Sequence, residues 1–341
     1  VTLRNGNGLV DRWLAERRLA AAAHAKATPA PPASDPLLPL PYSAAAEAPE
    51  LAAELQRGGA SAESAAEAAV GLGRVADETL EGLRRRSLKP PPLSAPTLVR
   101  ANPNPRGGFS AREGDADVIE VRCGKVSHPI NRVHALKLLE LYGRAMARDV
   151  GIDDPRFVAA LFALLTRYEA LGGAGMQAAL NGGAFDVLRR RFGVVAECFA
   201  SPLNCRWAGF CSAFPDTDVA FGSAGDFFTV FGGGRAVEGC FEANPPFIPA
   251  VIGAMGRTMD AALSVAGRAG RALAFIVIVP SWSEGKAGGF ASLAGSRHLK
   301  RQLISRNRRH DYCEGAQYKR RVGQHRRATC DTAIYFLQTA A

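Results

Sequence analysis

Paired-cysteine motifs are missing from this chain. Its seven cysteines (Cys123, Cys198, Cys205, Cys211, Cys240, Cys313 and Cys330) include no Cys-x-x-Cys and no Cys/His spacing of a zinc site, which excludes a sequence-legible metal knuckle or dithiol redox centre. An odd count scattered through apolar segments reads as reduced, buried thiols. His298, His310 and His325 share no ligand spacing, so no metal is expected. Long hydrophobic runs are also absent: the longest, Ala272 to Pro280, has the length of a strand and not of a membrane-spanning helix. Acidic residues are in deficit, 32 Asp and Glu against 42 Lys and Arg in 341 residues, a net charge of +10. That balance suits an anionic partner, nucleic acid being the commonest.

What is present divides the chain. Residues 1–115 hold 13 of the 21 prolines, many alanines and few aromatics, too little to bury a core, so a largely disordered N-terminal region is expected. One helix interrupts it at about 61–86, where Ala62, Ala65, Ala69, Leu72, Ala76, Leu80 and Leu83 recur at helical spacing. A small helical module is expected over 116–193. In it Val118–Val126 reads as a strand and Val133–Arg148 as a helix. Asp154-Pro155 opens a second helix with an N-cap and a proline at the first helical position, and Phe185–Phe192 forms a third, closed by Gly193. From 194 to 341 the pattern becomes strand, helix, strand: Val194–Ala200, a short helix around Trp207–Ala213, the strand ending at Ala243, a helix from Pro249 to about Ala266, and the strand Ala272–Val279. Apolar strands alternating with helices predict an α/β, doubly wound, parallel-rich sheet whose ligands sit beyond the strands' carboxyl ends. Asn204, Asn244 and Ser281 each follow such an end.

Asn244-Pro245-Pro246-Phe247 carries the most chemistry. Two prolines fix φ near −65° and hold the preceding residue extended, which aims Asn244 and the Pro245 carbonyl before any substrate arrives. Asn-Pro-Pro-aromatic turns after a buried strand serve S-adenosylmethionine-dependent enzymes that methylate planar amino groups. An exocyclic amine is a poor nucleophile because its lone pair is delocalised. Two acceptors can take its hydrogens and favour a pyramidal nitrogen, while Phe247 stacks on the base. Asn is no strong base, so the chemistry predicted is positioning by preorganised dipoles. A Pro-Pro turn that merely breaks the chain is the alternative for a motif this short.

Longer runs extend the pattern: Glu197-Cys198-Phe199-Ala200-Ser201-Pro202-Leu203-Asn204-Cys205, then Phe210 to Asp218 with Phe221-Gly222-Ser223, Phe241 to Phe247, Ala274 to Val277, His310-Asp311-Tyr312, and Thr332 to Gln338. Over roughly residues 118–341 the chain closely resembles the phosphorylated-CTD-interacting factor family of cap-specific adenosine N6-methyltransferases. The resemblance implies a Rossmann-like methyltransferase core, S-adenosyl-L-methionine as cofactor, capped RNA as partner, and a nuclear enzyme. The reaction implied is methylation of the exocyclic amine of the first transcribed, 2′-O-methylated adenosine. Asn244, Pro245, Pro246 and Phe247 would be the catalytic residues. Two departures stand out. Residues 1–115 contain only Trp13 and lack the paired tryptophans of a WW domain, which weakens any expectation of binding the RNA polymerase II tail. An acidic residue expected shortly after Phe247 is replaced by Ile248-Pro249-Ala250. The rival readings are a glutamine or DNA adenine methyltransferase, or a catalytically inactive module that binds capped RNA or the polymerase tail.

Other candidate positions follow from placement. Ala200, Ser201, Pro202 and Asn204, after the first core strand, suit the methionine or ribose end of the cofactor. Asp216 and Asp218 offer carboxylates for ribose hydroxyls or the methionine ammonium, with Gly222 and Ser223 beside them; the alternative for this acidic run is a turn cap. Trp282 offers an aromatic face to a positively charged methylated guanine. Arg297 to Arg327 carries 11 Lys and Arg against Asp311 and Glu314, a net of +9. Within it Arg297, Lys300 and Arg301 are the candidates for the cap phosphates, with Arg122 and Arg132 as further cap contacts.

Overall fold

A computed structural model describes residue 19 and residues 49–57, 59–87, 95–100, 118–170, 178–281, 290–315, 317–319 and 325–340. Two compact units divide the chain: 1–93 with 171–173, and 94–170 with 174–341.

In the first unit, helices α1 (Pro49–Arg57) and α2 (Ala62–Ser87) pair. Leu51, Ala69 and Ala76 form a small buried cluster with Ala52, Leu55 and Leu72 around it. The expected helix is there. Its shorter partner was hidden by its alanines, which can pack a close helix pair without presenting a strong apolar stripe.

The second unit opens with an antiparallel sheet of β1 (Thr97–Arg100), β2 (Val118–Cys123) and β3 (Val126–Asn131). The single strand expected over 118–126 is therefore the first arm of a hairpin, turned at Gly124 with φ +58°. Asn131 ends β3 and caps α3 (Arg132–Met146), its Oδ1 accepting the His134 N–H at 2.9 Å. Helix α4 (Pro155–Ala170) starts where the Asp-Pro pair predicts. The Asp154 carboxylate accepts the N–H groups of Arg156 (2.8 Å) and Phe157 (3.1 Å), and Phe157, Leu161, Leu164, Leu165 and Tyr168 are buried along one stripe.

After β4 (Ala179–Leu180) and α5 (Gly182–Phe192) comes the main sheet: β5 (Val194–Ala200), β6 (Phe210–Ser212), β7 (Gly239–Ala243), β8 (Leu273–Pro280), β9 (Leu299–Ser305) and the last strand, β12 (Thr332–Gln338). Its order is β6-β5-β7-β8-β12-β9. β6, β5, β7 and β8 run parallel, and β12 is antiparallel to both β8 and β9. Phe210–Ser212 is thus a strand where a short helix was expected. Its three residues are buried and pair with β5, so sheet pairing overrides local propensity there. Between the strands lie a helical turn, α6 (Pro215–Asp218), and helices α7 (Phe227–Gly232), α8 (Pro249–Arg268) and α9 (Ala291–Ala294). A third sheet joins β4, β10 (Asp311–Cys313) and β11 (His325–Arg327) in the order β11-β10-β4.

Both faces of the main sheet are covered, as the nearly unbroken apolar run of β8 requires. On one face Ile252, Met255, Met259 and Leu263 of α8, with Phe227 and Phe231 of α7, pack on Phe275, Val277, Val279, Tyr335 and Leu337. On the other, Phe185 and Leu188 of α5 pack on Val194, Ile276 and Ile278, with Ile334 and Phe336 beside them.

Candidate active site

β7 ends at Ala243, and Asn244 emerges at the carboxyl edge of the parallel strands between the ends of β5 and β8. The chain then turns sharply: the Ile248 N–H donates to the Pro246 carbonyl at 2.7 Å, Ile248 is buried, and Pro249 occupies the first turn of α8. The Asn244 side chain is gripped from outside its own strand, its Nδ2 donating to the Ala178 carbonyl at 3.0 Å. That leaves Oδ1, which is buried and has no hydrogen-bond partner among the described residues. A buried acceptor without a donor costs about 1–3 kcal/mol, and such an atom at a strand end marks a place where a ligand's donor belongs. Beside it Phe247, half-buried, meets Tyr312 edge-on with ring centroids 6.1 Å apart. The Tyr312 hydroxyl and His310 Nε2 both reach Thr332 Oγ1, each at 2.8 Å. Burial pushes the Tyr312 phenol up to about 12, so it stays a neutral hydrogen-bonding group.

Strand alternation places Glu242 on the same face of β7 as Asn244. Glu242 is 1% exposed, its Oε1 has no partner among the described residues, and it lies in register with Glu197 of β5, itself 3% exposed. Glu197 Oε1 accepts the N–H groups of Arg206 (2.6 Å) and Trp207 (3.2 Å), which ties down the loop after β5. Burial pushes the Glu197 carboxyl up to about 7 despite those bonds. Burial, reinforced by Glu197, holds Glu242 well above the carboxylate range. Side by side, two such acids do not both ionise at neutral pH. Nothing in the spacing of Glu197 and Glu242, 45 residues apart in the chain, signals this pairing.

Two of the candidate cofactor loops, after β5 and β6, stand at the same edge. After β5 the chain closes on itself: Asn204 Oδ1 accepts from the Ser201 N–H (2.7 Å) and the Ser201 hydroxyl (3.0 Å). Pro202 and Leu203 are buried beneath that turn. Ser201 and Asn204 therefore shape the loop, and Ala200 leads into it. After β6, Asp216 pairs with Arg167 of α4, whose guanidinium carbon lies 5.2 Å from the Phe214 ring centroid. Asp216 keeps 41% of its side chain exposed. Asp218 does not: it is fully buried and accepts from Tyr168 Oη (2.6 Å) and Thr217 Oγ1 (2.9 Å). Burial pushes its carboxyl up to about 6. Ser223 is likewise committed, to Ser212 Oγ at 2.6 Å and the Gly225 N–H at 3.1 Å. Of the two aspartates, the one open to a ligand is Asp216; Asp218 braces the turn from inside. Gly222 is required for its φ of +90°, since a Cβ there would meet nothing nearer than 3.9 Å.

The basic candidates do not converge. Trp282 lies outside the described residues. Arg297 donates to Ser264 Oγ of α8 at 2.6 Å, on the α8 side of the sheet. Lys300 is the extra residue at the irregularity between the Leu337–Leu299 and Phe336–Arg301 pairs, and Arg301 follows Phe336 onto the α5 side. β9 is the far edge strand, three strands from β7, about 14 Å across. Sequence proximity grouped three residues that the start of β9 and its irregularity send to different places. Arg122 is paired with Glu120 at 2.8 Å. Arg132 follows Asn131, whose Nδ2 donates to the Gln317 carbonyl at 3.0 Å, which seats it beside the loop joining β10 to β11. The cations that stand at the Asn244 edge are others: Arg306, Arg308 and Arg309 in the turn leaving β9, and Arg326, which pairs across from Tyr312.

A parallel-rich six-stranded sheet with helices on both faces, and an Asn-Pro-Pro-Phe turn at the end of a central strand, defines a Rossmann-like methyltransferase core. Within that class the chain belongs to the family described as Phosphorylated CTD interacting factor 1 WW domain, which matches residues 137–315. It is 35% identical over 216 residues to the mRNA (2'-O-methyladenosine-N(6)-)-methyltransferase of Mus musculus, and 36% identical over 216 residues to that of Homo sapiens. Each match covers 61% of this chain and 29% of the relative, so the chain spans under a third of the length of these relatives.

Proposed function

We propose that this chain is the catalytic part of a nuclear, S-adenosylmethionine-dependent adenosine N6-methyltransferase acting on capped mRNA, with the first transcribed, 2′-O-methylated adenosine as its target. The observation that carries the reading is Asn244: its amide is clamped by the Ala178 carbonyl, and its Oδ1 is buried with no donor. An adenine amine supplies that donor. Oδ1 takes one amine hydrogen and the Pro245 carbonyl the other, so both hydrogens are held and the nitrogen lone pair is directed. Phe247, braced by Tyr312, fixes the plane of the base. When bound, S-adenosylmethionine supplies a methyl group made electrophilic by its sulfonium. The Ala200–Asn204 loop and the Asp216 carboxylate would hold that cofactor, beside the strand end from which Asn244 projects. Because Asn244 carries no charge and accepts no proton, its contribution is preorganised orientation. The methyltransferase activity by which the two relatives are named supports this substrate class.

The test is transfer of labelled methyl from S-adenosylmethionine to two short RNAs beginning with adenosine, one capped with 7-methylguanosine and one bearing a 5′ triphosphate, followed by nucleoside analysis. N6-methyladenosine from the capped RNA alone is the expected result. No product from either RNA, with binding of the capped RNA retained, would establish the inactive binding module instead.

A further inference from the structure

The last turn of α5 carries Arg189, Arg190 and Arg191, followed by Phe192, and all four are exposed. Leu188 and Phe185 are the buried stripe of this helix, so Arg189 and Arg191 flank the stripe on either side and Phe192 continues it. Phe192 reaches the sheet, its ring centroid 5.3 Å from that of Phe336, yet remains 44% exposed. Phe336 is in register with Arg301 of β9, which puts Arg301 on the same face beside the two rings. Arg190 is answered by Asp186 at 3.8 Å. Among the described residues, Arg189, Arg191 and Arg301 face no carboxylate. A helix end carries only about half a negative charge, too little to account for three unpaired guanidiniums around a half-exposed ring.

We propose that Arg189, Arg191, Arg301 and Phe192 form a second nucleic-acid contact, which holds single-stranded RNA downstream of the nucleotide in the Asn244 site. The proposal rests on the RNA-substrate reading above and adds to it the path of the chain. Guanidiniums around an exposed aromatic ring are the arrangement that grips phosphates and stacks a base without reading sequence. A phosphorylated peptide would use the cations but has no use for the ring. The route is set by α5 itself. Its N-cap, Asn181, is three residues from Ala178, the clamp on Asn244, and its C-terminal turn is the proposed contact. Eleven residues span about 16 Å, or roughly five nucleotides for a strand that keeps the stacked 3.4 Å rise of a duplex.

Binding, read by fluorescence anisotropy against salt concentration, tests this without reference to methyl transfer. The probes are uncapped RNAs of 12 and 3 nucleotides beginning with adenosine. The triple variant Arg189→Gln/Arg191→Gln/Arg301→Gln should bind the 12-mer at least tenfold more weakly at 0.1 M salt, with the slope of log K against log salt reduced by about 2, near 0.7 for each lost contact to a single strand. The 3-mer should be unaffected. Phe192→Ala should weaken the 12-mer about tenfold while leaving the slope unchanged, the mark of lost stacking. Equal binding of the 12-mer by wild type and triple variant would overturn the proposal. So would a patch that holds a phosphoserine peptide and not RNA. A chain that shows the 12-mer effect yet makes no N6-methyladenosine would refute the catalytic reading and leave this one standing.

Discussion

Replacing Asn244 by Ala removes one acceptor and one clamp, and the two losses fall on different measurements. The clamp is the 3.0 Å bond from Nδ2 to the Ala178 carbonyl. As an ordinary neutral hydrogen bond on a half-buried side chain it contributes about 0.5–1.5 kcal/mol. Alone that would lower the thermal midpoint by about 1–6 °C, but deleting the buried, unpaired Oδ1 relieves about 1–3 kcal/mol in the free enzyme, so the net fall should be smaller than the clamp alone would give. The acceptor matters more for rate. Oδ1 has no internal partner, so deleting it removes a buried orphan from the free enzyme and a positioned dipole from the transition state. Loss of one such preorganised group costs about 2.7–4 kcal/mol, or 10²–10³ in kcat. The assay is single-turnover methyl transfer to capped RNA at saturating enzyme, which separates chemistry from binding. RNA affinity should change less than threefold. Asn244→Asp is the informative companion, because it keeps an acceptor but sets a carboxylate against the Ala178 carbonyl. A kcat within about threefold of wild type in the Ala variant, with the fold intact, would refute the role given to Asn244.

The Glu197–Glu242 row makes stability depend on pH. Both carboxyls hold protons more tightly folded than unfolded, so their stabilisation is complete below the ordinary value of 4.5 and is lost as pH rises, through about 7 for Glu197 and through the raised value of Glu242. The thermal midpoint of Glu242→Gln should therefore fall less than that of wild type between pH 6 and 8; equal slopes would show that the pair is not coupled to folding. Asp218→Ala removes the acceptor shared by the buried Tyr168 hydroxyl and the half-buried Thr217 hydroxyl and should lower the urea unfolding free energy by about 2–4 kcal/mol, with Asp218→Asn costing less. An Ala variant as stable as wild type would mean that this network does not brace the turn.

Much of the architecture was legible in the chain because it is written locally. Asp154-Pro155 announces a helix start through one carboxylate and one missing N–H. The eight residues of β8 are apolar without interruption because both faces are covered. The Asn-Pro-Pro-Phe turn is conspicuous because two prolines leave the backbone little choice. Residues whose role depends on who stands across from them were not legible. Phe210–Ser212 became a strand only because β5 offers it an edge. Arg297 and Arg301 look like one basic cluster in sequence, yet Arg297, just before the edge strand, reaches α8 while Arg301 follows Phe336 onto the α5 side. Asp218 looks like its neighbour Asp216 and is sealed inside by Tyr168, 50 residues earlier in the chain. By itself the sequence determined the Asn-Pro-Pro-Phe turn and the alternation of strands and helices, since backbone stiffness and hydrophobic period act over a few residues. Only the tertiary structure decided which carboxylates face a ligand, which cations share a surface, and that Ala178 holds Asn244, because register and burial are set by contacts between segments far apart in the chain.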